Sequence, residues 1–205
     1  MIETIELKKQ RTETEELQVP DYLIRDIING VPYYYKGYKE VLRNQKTLEE
    51  TMGSSTLQSV IISLIMKSLF MASKDDDYFI LTNEVGNKLN KGEYFSLDLA
   101  IYDNAVLTSD NIDIHYSNVP PKVVVEVDIK IDLTKMSQFE YVINKSDKLL
   151  AYGTEQILWI LSKTKKVLII NNSKNWHLAD WSDDILLVDE HTINIEAMLK
   201  SKGIE

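Results

Sequence analysis

The stretch PPKVVVEVDIK, Pro120 to Lys130, decides how the chain is read. It reads as a buried strand opened by two prolines, spanning Lys122 to Ile131. Successive strand residues point to opposite faces. Val123, Val125, Val127 and Ile129 therefore form one apolar row, while Val124, Glu126, Asp128 and Lys130 share the other face. Two carboxylates and an ammonium in so apolar a strand call for a chemical reason. An ionised carboxylate in an apolar setting is costly unless it is paired or binds a metal. The plain alternative is a strand end emerging into water, with these three residues in surface ion pairs.

A second acidic strand residue stands upstream. In FSLDLAIYD, Asp98 shares a face with Ser96 and Ala100, and Leu97, Leu99 and Ile101 form the other. Three carboxylates on two strands suit a hard cation such as Mg2+ or Mn2+, which prefers oxygen ligands. Glu126 and Asp128 lie about 6.6 Å apart along a strand. They can flank one ion or hold two, with Lys130 placed to orient water or offset charge on a phosphate.

Around this strand the chain alternates helical and extended patterns. A long helix starts near Ser54, Ser55 or Thr56, all good cap types, with Ser59, Ser63 and Lys67 as its polar stripe. Strands follow in DYFILTNEVGNKL and EYFSLDLAIYD. A helix runs from about Leu133 to Tyr152 and ends at Gly153, as suits a helix C-terminus. On it Tyr141, Lys145, Lys148 and Tyr152 share one face. That face either points at the carboxylates or is solvated, and the residues alone favour solvation. QILWILSKT and KKVLIINNS read as a hairpin, WHLADW and DILLVD as short edge strands, and NIEAMLKSKG as a terminal helix capped by Asn194. PDYLIRDIINGVPYYYKG reads as a short helical pattern, a turn at Asn29-Gly30 and a tyrosine-rich strand. Residues 1–19 read as a polar arm, and 20–205 as one α/β domain with a mixed sheet and flanking helices.

Composition narrows the function. A chain with no cysteine has no thiolate metal site, disulfide or cysteine nucleophile. The apolar segment LQSVIISLIMKSLFMA is too short and polar to span a membrane, and no signal peptide is visible. The expectation is a cytoplasmic protein without a membrane partner. A net charge of −9 argues against a protein that coats nucleic acid, but not against an enzyme that meets DNA through a local patch. Lys163 to Lys166 are the obvious candidate patch, and a solvated hairpin turn is the plainer reading.

The ordered set of Asp98 in LDLAIYD, PPKVVVEVDIK and KLLAYGTEQILWIL resembles the Uma-two family of restriction-endonuclease-like proteins. The resemblance covers about Val31 to Ile170. It places Lys148, Tyr152, Gly153 and Trp159 on a helix pattern of that family. MGSSTLQSVIISLIM is similar to the family's first helix, although Gln58 stands where a histidine is common. The resemblance implies the PD-(D/E)xK nuclease superfamily and its α/β/α restriction-endonuclease-like core. It implies Asp98 and Glu126 as metal ligands, the Val127 carbonyl as a third, and a lysine near the attacked phosphate. The residue before Asp98 is leucine rather than proline, and Asp128 stands where such nucleases carry lysine. The lysine role then falls to Lys148, or to Lys130 if Asp128 and Lys130 act as a shifted pair. The implied function is a metal-dependent DNA endonuclease, with a homodimer as the form that cuts both strands. The alternatives are a degenerate nuclease fold that binds nucleic acid or protein, and an interaction protein dimeric through its tyrosine-rich segment.

Overall fold

A computed structural model describes residues 19–72, 77–134, 136–172 and 175–204. The polar arm at 1–18 and Asp75-Asp76 lie outside the described residues. After a single 3-10 turn at Asp21–Leu23, β1 (Ile24–Ile28) and β2 (Val31–Tyr34) form a hairpin. Asn29 and Gly30 join them, both with positive φ, as a two-residue turn matched to strand twist requires. The helical pattern expected before this turn is therefore a strand, and the tyrosine run is its partner. Two short helices follow, α1 (Tyr38–Leu42) and α2 (Leu48–Met52).

The long helix α3 (Thr56–Ala72) opens at Ser55, whose Oγ accepts from the Gln58 amide at 3.2 Å. Its polar stripe, Ser59, Ser63 and Lys67, is exposed, and Ile61, Ile65 and Leu69 are buried behind it. Strands β3 (Tyr78–Asn90) and β4 (Glu93–Asp103) form a long antiparallel pair. A connection with one 3-10 turn, Ser109–Asn111, leads to β5 (Val123–Val127). Helix α4 (Gln138–Tyr152) begins at Ser137, where a capping box with Glu140 satisfies two end groups. It carries the chain over to β6 (Gln156–Leu161), which lies parallel to β5. Parallel neighbours need such a crossover. Then come β7 (Lys166–Asn171), β8 (Trp176–Asp180), the small ribbon β9 (Ile185–Val188) and β10 (His191–Ile193), and α5 (Ile195–Lys200). Asn194 caps α5 through the Ala197 amide at 2.9 Å.

The main sheet runs β2-β1-β4-β5-β6-β7-β8, with β3 on β4. It is a mixed sheet with helices on both faces. Val123, Val125 and Val127 pack with Ile61, Ile65 and Leu69 of α3 on one side. Val124 packs with Tyr141, Leu149 and Trp159 on the other. The apolar row thus meets a core helix as its pattern implies, and the opposite row meets α4.

Two departures from strict alternation shape the site. Leu97 joins the α4-side core, whereas Leu99 and Ile101 join the α3-side core, so the expected face of β4 changes hand at Asp98. Opposite this point β3 bulges between Thr82 and Val85, with Asn83 and Glu84 both at positive φ. The second departure is that β5 stops at Val127. Asp128 takes φ 59°, and the strand expected to reach Ile131 ends there.

Candidate active site

Asp98 and Glu126 come from neighbouring strands and lie 2 % and 1 % exposed. One cation joins them. Nη2 of Arg25, on β1, is 3.0 Å from Asp98 Oδ1 and 3.2 Å from Glu126 Oε2. Its Nη1 is 2.7 Å from Glu84 Oε1, which the β3 bulge delivers. Every oxygen of Asp98 is used. Lys130 Nζ also donates to Oδ1 at 2.9 Å, while Gln58 Nε2 and the Val127 amide donate to Oδ2 at 3.0 and 2.9 Å.

Behind Glu126 lies a second cation. Lys145 on α4 has no exposed surface, and its Nζ is 2.9 Å from Glu126 Oε1. That contact is an ion pair without hydrogen-bond geometry. The ammonium donates to the Ser96 carbonyl at 3.0 Å and to Asp26 Oδ2 at 3.3 Å. It also lies within 6.0 Å of the ring centres of Phe95, Tyr141 and Trp159. Asp26 accepts from the Ser96 amide at 2.9 Å and from the Tyr141 hydroxyl. Arg25, Lys130 and Lys145 thus face Asp26, Glu84, Asp98 and Glu126, an assembly that keeps buried charges paired.

The two central carboxyls are pushed apart. Burial drives Glu126 up to about 7, against the pull of Lys145. Burial also acts on Asp98, but Arg25 and Lys130 overcome it and hold the group below its ordinary value. Burial lowers the Arg25 pKa, yet Glu126 and Asp98 more than compensate, so the guanidinium stays charged. Separated acidities of this kind mark acid–base sites as well as structural ion clusters.

Asp98, Lys130 and Glu84 reach an open groove of about 1460 Å³, shared with Tyr35, Ser54, Thr82 and Ser96. Glu126, Arg25 and Lys145 lie behind that wall. Glu84, Lys130 and Asp98 are therefore the charged groups of the centre that a groove ligand meets first.

The structure brings together Asp98, Glu126 and Lys130, and from Val127 it brings the amide, which donates to Asp98. It does not bring Asp128 or Lys148 to them. Asp128 turns back to accept from the Ser162 amide at 2.8 Å and hydroxyl at 2.5 Å. This fixes the left-handed turn that ends β5. Lys148 pairs with Glu93, the first residue of β4, and not with the carboxylates of the centre. The lysine that α4 supplies is Lys145, one turn earlier. The face that the residues alone left to solvent points into the site through Tyr141 and Lys145. Arg25, Asp26 and Glu84 are further members that sequence reasoning missed. The signal for Arg25 and Asp26 was a charge pair set among Leu23, Ile24, Ile27 and Ile28, an apolar run; Glu84 had none. Lys163 and Lys165 are exposed on the β6–β7 turn, and Lys166 pairs with Asp180.

Among the described residues no group of three or more His, Cys, Asp or Glu side chains stands ready to hold a metal ion, and no helix is long and apolar enough to cross a membrane. No family model and no curated protein matches the chain. A crystal structure from Anabaena variabilis ATCC 29413, described as "a putative nuclease belonging to DUF820", is similar in fold. Its TM-score is 0.62 at 14% identity, over 85% of this chain and 89% of that one. The two share a fold.

Proposed function

We propose that the chain is a phosphodiester hydrolase that cuts DNA with Mg2+ or Mn2+ held by Asp98 and Glu126. One observation carries the reading. Two buried carboxylate oxygens from adjacent strands converge on a single positive point, the Arg25 Nη2 atom at 3.0 and 3.2 Å. A cation already stands between the two oxygens that this reading makes metal ligands. Two carboxylates suffice for Mg2+, which keeps several waters and completes its shell with substrate phosphate. On this reading the Val127 carbonyl is a third oxygen ligand. When bound, such an ion polarises the phosphate and offsets the charge that builds in the transition state.

The chain's own residues prepare the site. Gln58 and the Val127 amide fix the Asp98 carboxylate, so its outer oxygen faces Arg25 and Lys130. Lys145 holds Glu126 from behind and favours its ionised form. Lys130, partly exposed at the groove wall, places a positive charge where a phosphate arrives. The lysine role passes from Lys148 to Lys130 on the groove side and Lys145 on the buried side. The likeness to a protein described as a putative nuclease adds weight to the hydrolase reading.

A second reading has its own support. Arg25 satisfies both carboxylates without a metal, which suits a nuclease fold kept as a binding module. The two readings part on labelled duplex and single-stranded DNA incubated with Mn2+ or Mg2+. The hydrolase gives products that chelator abolishes and that Glu126→Gln lacks. The binding module gives a retained complex and no product.

A further inference from the structure

We infer that Arg25 is an internal competitor of the metal: the guanidinium and a divalent cation are alternative occupants of the point between Asp98 and Glu126. The inference rests on reading these two residues as cation ligands, and it assigns Arg25 a role in that site.

Three features of the guanidinium support it. First, Nη2 alone contacts the metal-ligand pair, at 3.0 and 3.2 Å, with the Ser96 carbonyl at 3.2 Å. Second, Nη1 is held separately by Glu84 at 2.7 Å. Third, Nε makes no hydrogen bond and only a long, 4.0 Å ion-pair contact with Asp26. A rotation that withdraws Nη2 from the carboxylates therefore breaks only the Nη2 bonds. The Glu84 bond, and the Tyr35 ring 5.9 Å from the guanidinium carbon, remain to receive the charge.

Glu84 is built for that role. It sits on the β3 bulge with φ 55°, beside Asn83 at φ 73°. Left-handed backbone in two successive non-glycine residues is strained, and such strain collects at functional sites. The bulge aims Glu84 at the groove wall, where it accepts from the Tyr35 hydroxyl at 2.5 Å and lies 3.7 Å from Lys130. Two like charges cannot share one pair of carboxylates at contact distance. Metal entry through the groove at Asp98 thus requires Arg25 to withdraw toward Glu84.

The competition has measurable consequences. Metal-free wild-type protein, titrated calorimetrically with MnCl2, is expected to bind weakly. Arg25→Met, which keeps the bulk and removes the charge, is expected to bind at least ten-fold more tightly. Glu84→Gln is expected to weaken Mn2+ binding several-fold in the presence of Arg25 and to change nothing in the Arg25→Met background. Asp98→Asn abolishes the heat in every background. Equal Kd values for wild type and Arg25→Met, both lost in Asp98→Asn, overturn the competition and leave the ligand reading standing. No Mn2+ binding in any folded variant overturns the ligand reading itself. If Arg25→Met does not fold, the wild-type chain decides the matter by NMR of the guanidinium under saturating Mg2+. Arg25 nitrogen signals that shift on metal addition support competition, and signals that stay fixed while Mg2+ binds overturn it.

Discussion

Lys145 Nζ lies 2.9 Å from Glu126 Oε1, and neither side chain reaches solvent. A helix-borne ammonium and a strand-borne carboxylate are thereby locked together in the middle of the domain. The Phe95, Tyr141 and Trp159 rings close around the ammonium and strengthen its hold. Removing one partner of a buried pair leaves the other uncompensated, at a cost of about 3–5 kcal/mol. Lys145→Met is therefore expected to lower stability by that order in urea denaturation, and to abolish cleavage. Lys148→Met leaves the buried Glu93 with its Asn90 bond but without its cation, and is expected to cost about 1–3 kcal/mol. It should leave cleavage intact.

Asp128 separates structure from chemistry in the same strand. Its carboxylate serves Ser162, and its backbone holds φ 59°. Asp128→Ala loses two hydrogen bonds and leaves the left-handed backbone without the side-chain contacts that hold it. The expected loss is about 1–2 kcal/mol, with metal affinity unchanged in calorimetry.

How much of this was legible is clearest along β5 and α4. Alternation in VVVEV placed Glu126 opposite the core row, because both faces are packed and the pattern has no slack. α3, the β6–β7 hairpin and the Asn194 cap followed from periodicity and end signals of the same kind, as did the existence of β4 and α4, although α4 starts at Gln138 rather than near Leu133 and the face of β4 reverses at Asp98. Asp128 and Lys130 could not be placed that way. Period two holds only while the backbone stays extended, and a single left-handed residue redirects everything after it. Lys148 and Lys145 lie on one helix face at spacing three, so the sequence cannot say which turn faces the carboxylates. Packing against Trp159 and Phe95 decides it. Arg25 and Asp26 were hidden because their strand is five residues long, and the carboxylate that Arg25 meets on β4, Asp98, lies 73 residues further along the chain.

The Glu126 carboxyl offers a test by pH. Its ordinary value is 4.5, and burial raises it to about 7 in the folded chain. A raised carboxyl contributes stability that is full below pH 4.5 and is lost as pH climbs through 7. In chelator, the Tm of Glu126→Gln relative to wild type is expected to rise between pH 5 and pH 8. A difference that stays flat across this window would mean that Glu126 remains in one protonation state throughout.

Gln58 orients Asp98 from α3 by one neutral hydrogen bond of 3.0 Å. Gln58→Ala leaves the Val127 amide and both cations on the carboxylate. Cleavage is expected to fall several-fold rather than vanish, with a stability loss of about 1 kcal/mol. A kinetic series in Mn2+ concentration checks it. The loss should ease at saturating metal if Gln58 acts only by positioning Asp98.

The most direct test of the whole account is nicking of supercoiled plasmid by the purified chain in Mn2+ and Mg2+. Wild type, Asp98→Asn and Asp128→Ala are run side by side, with chelator as control. The account expects metal-dependent nicking by wild type and Asp128→Ala and none by Asp98→Asn. Nicking that survives in Asp98→Asn, or its absence from folded wild type with both metals, would contradict it.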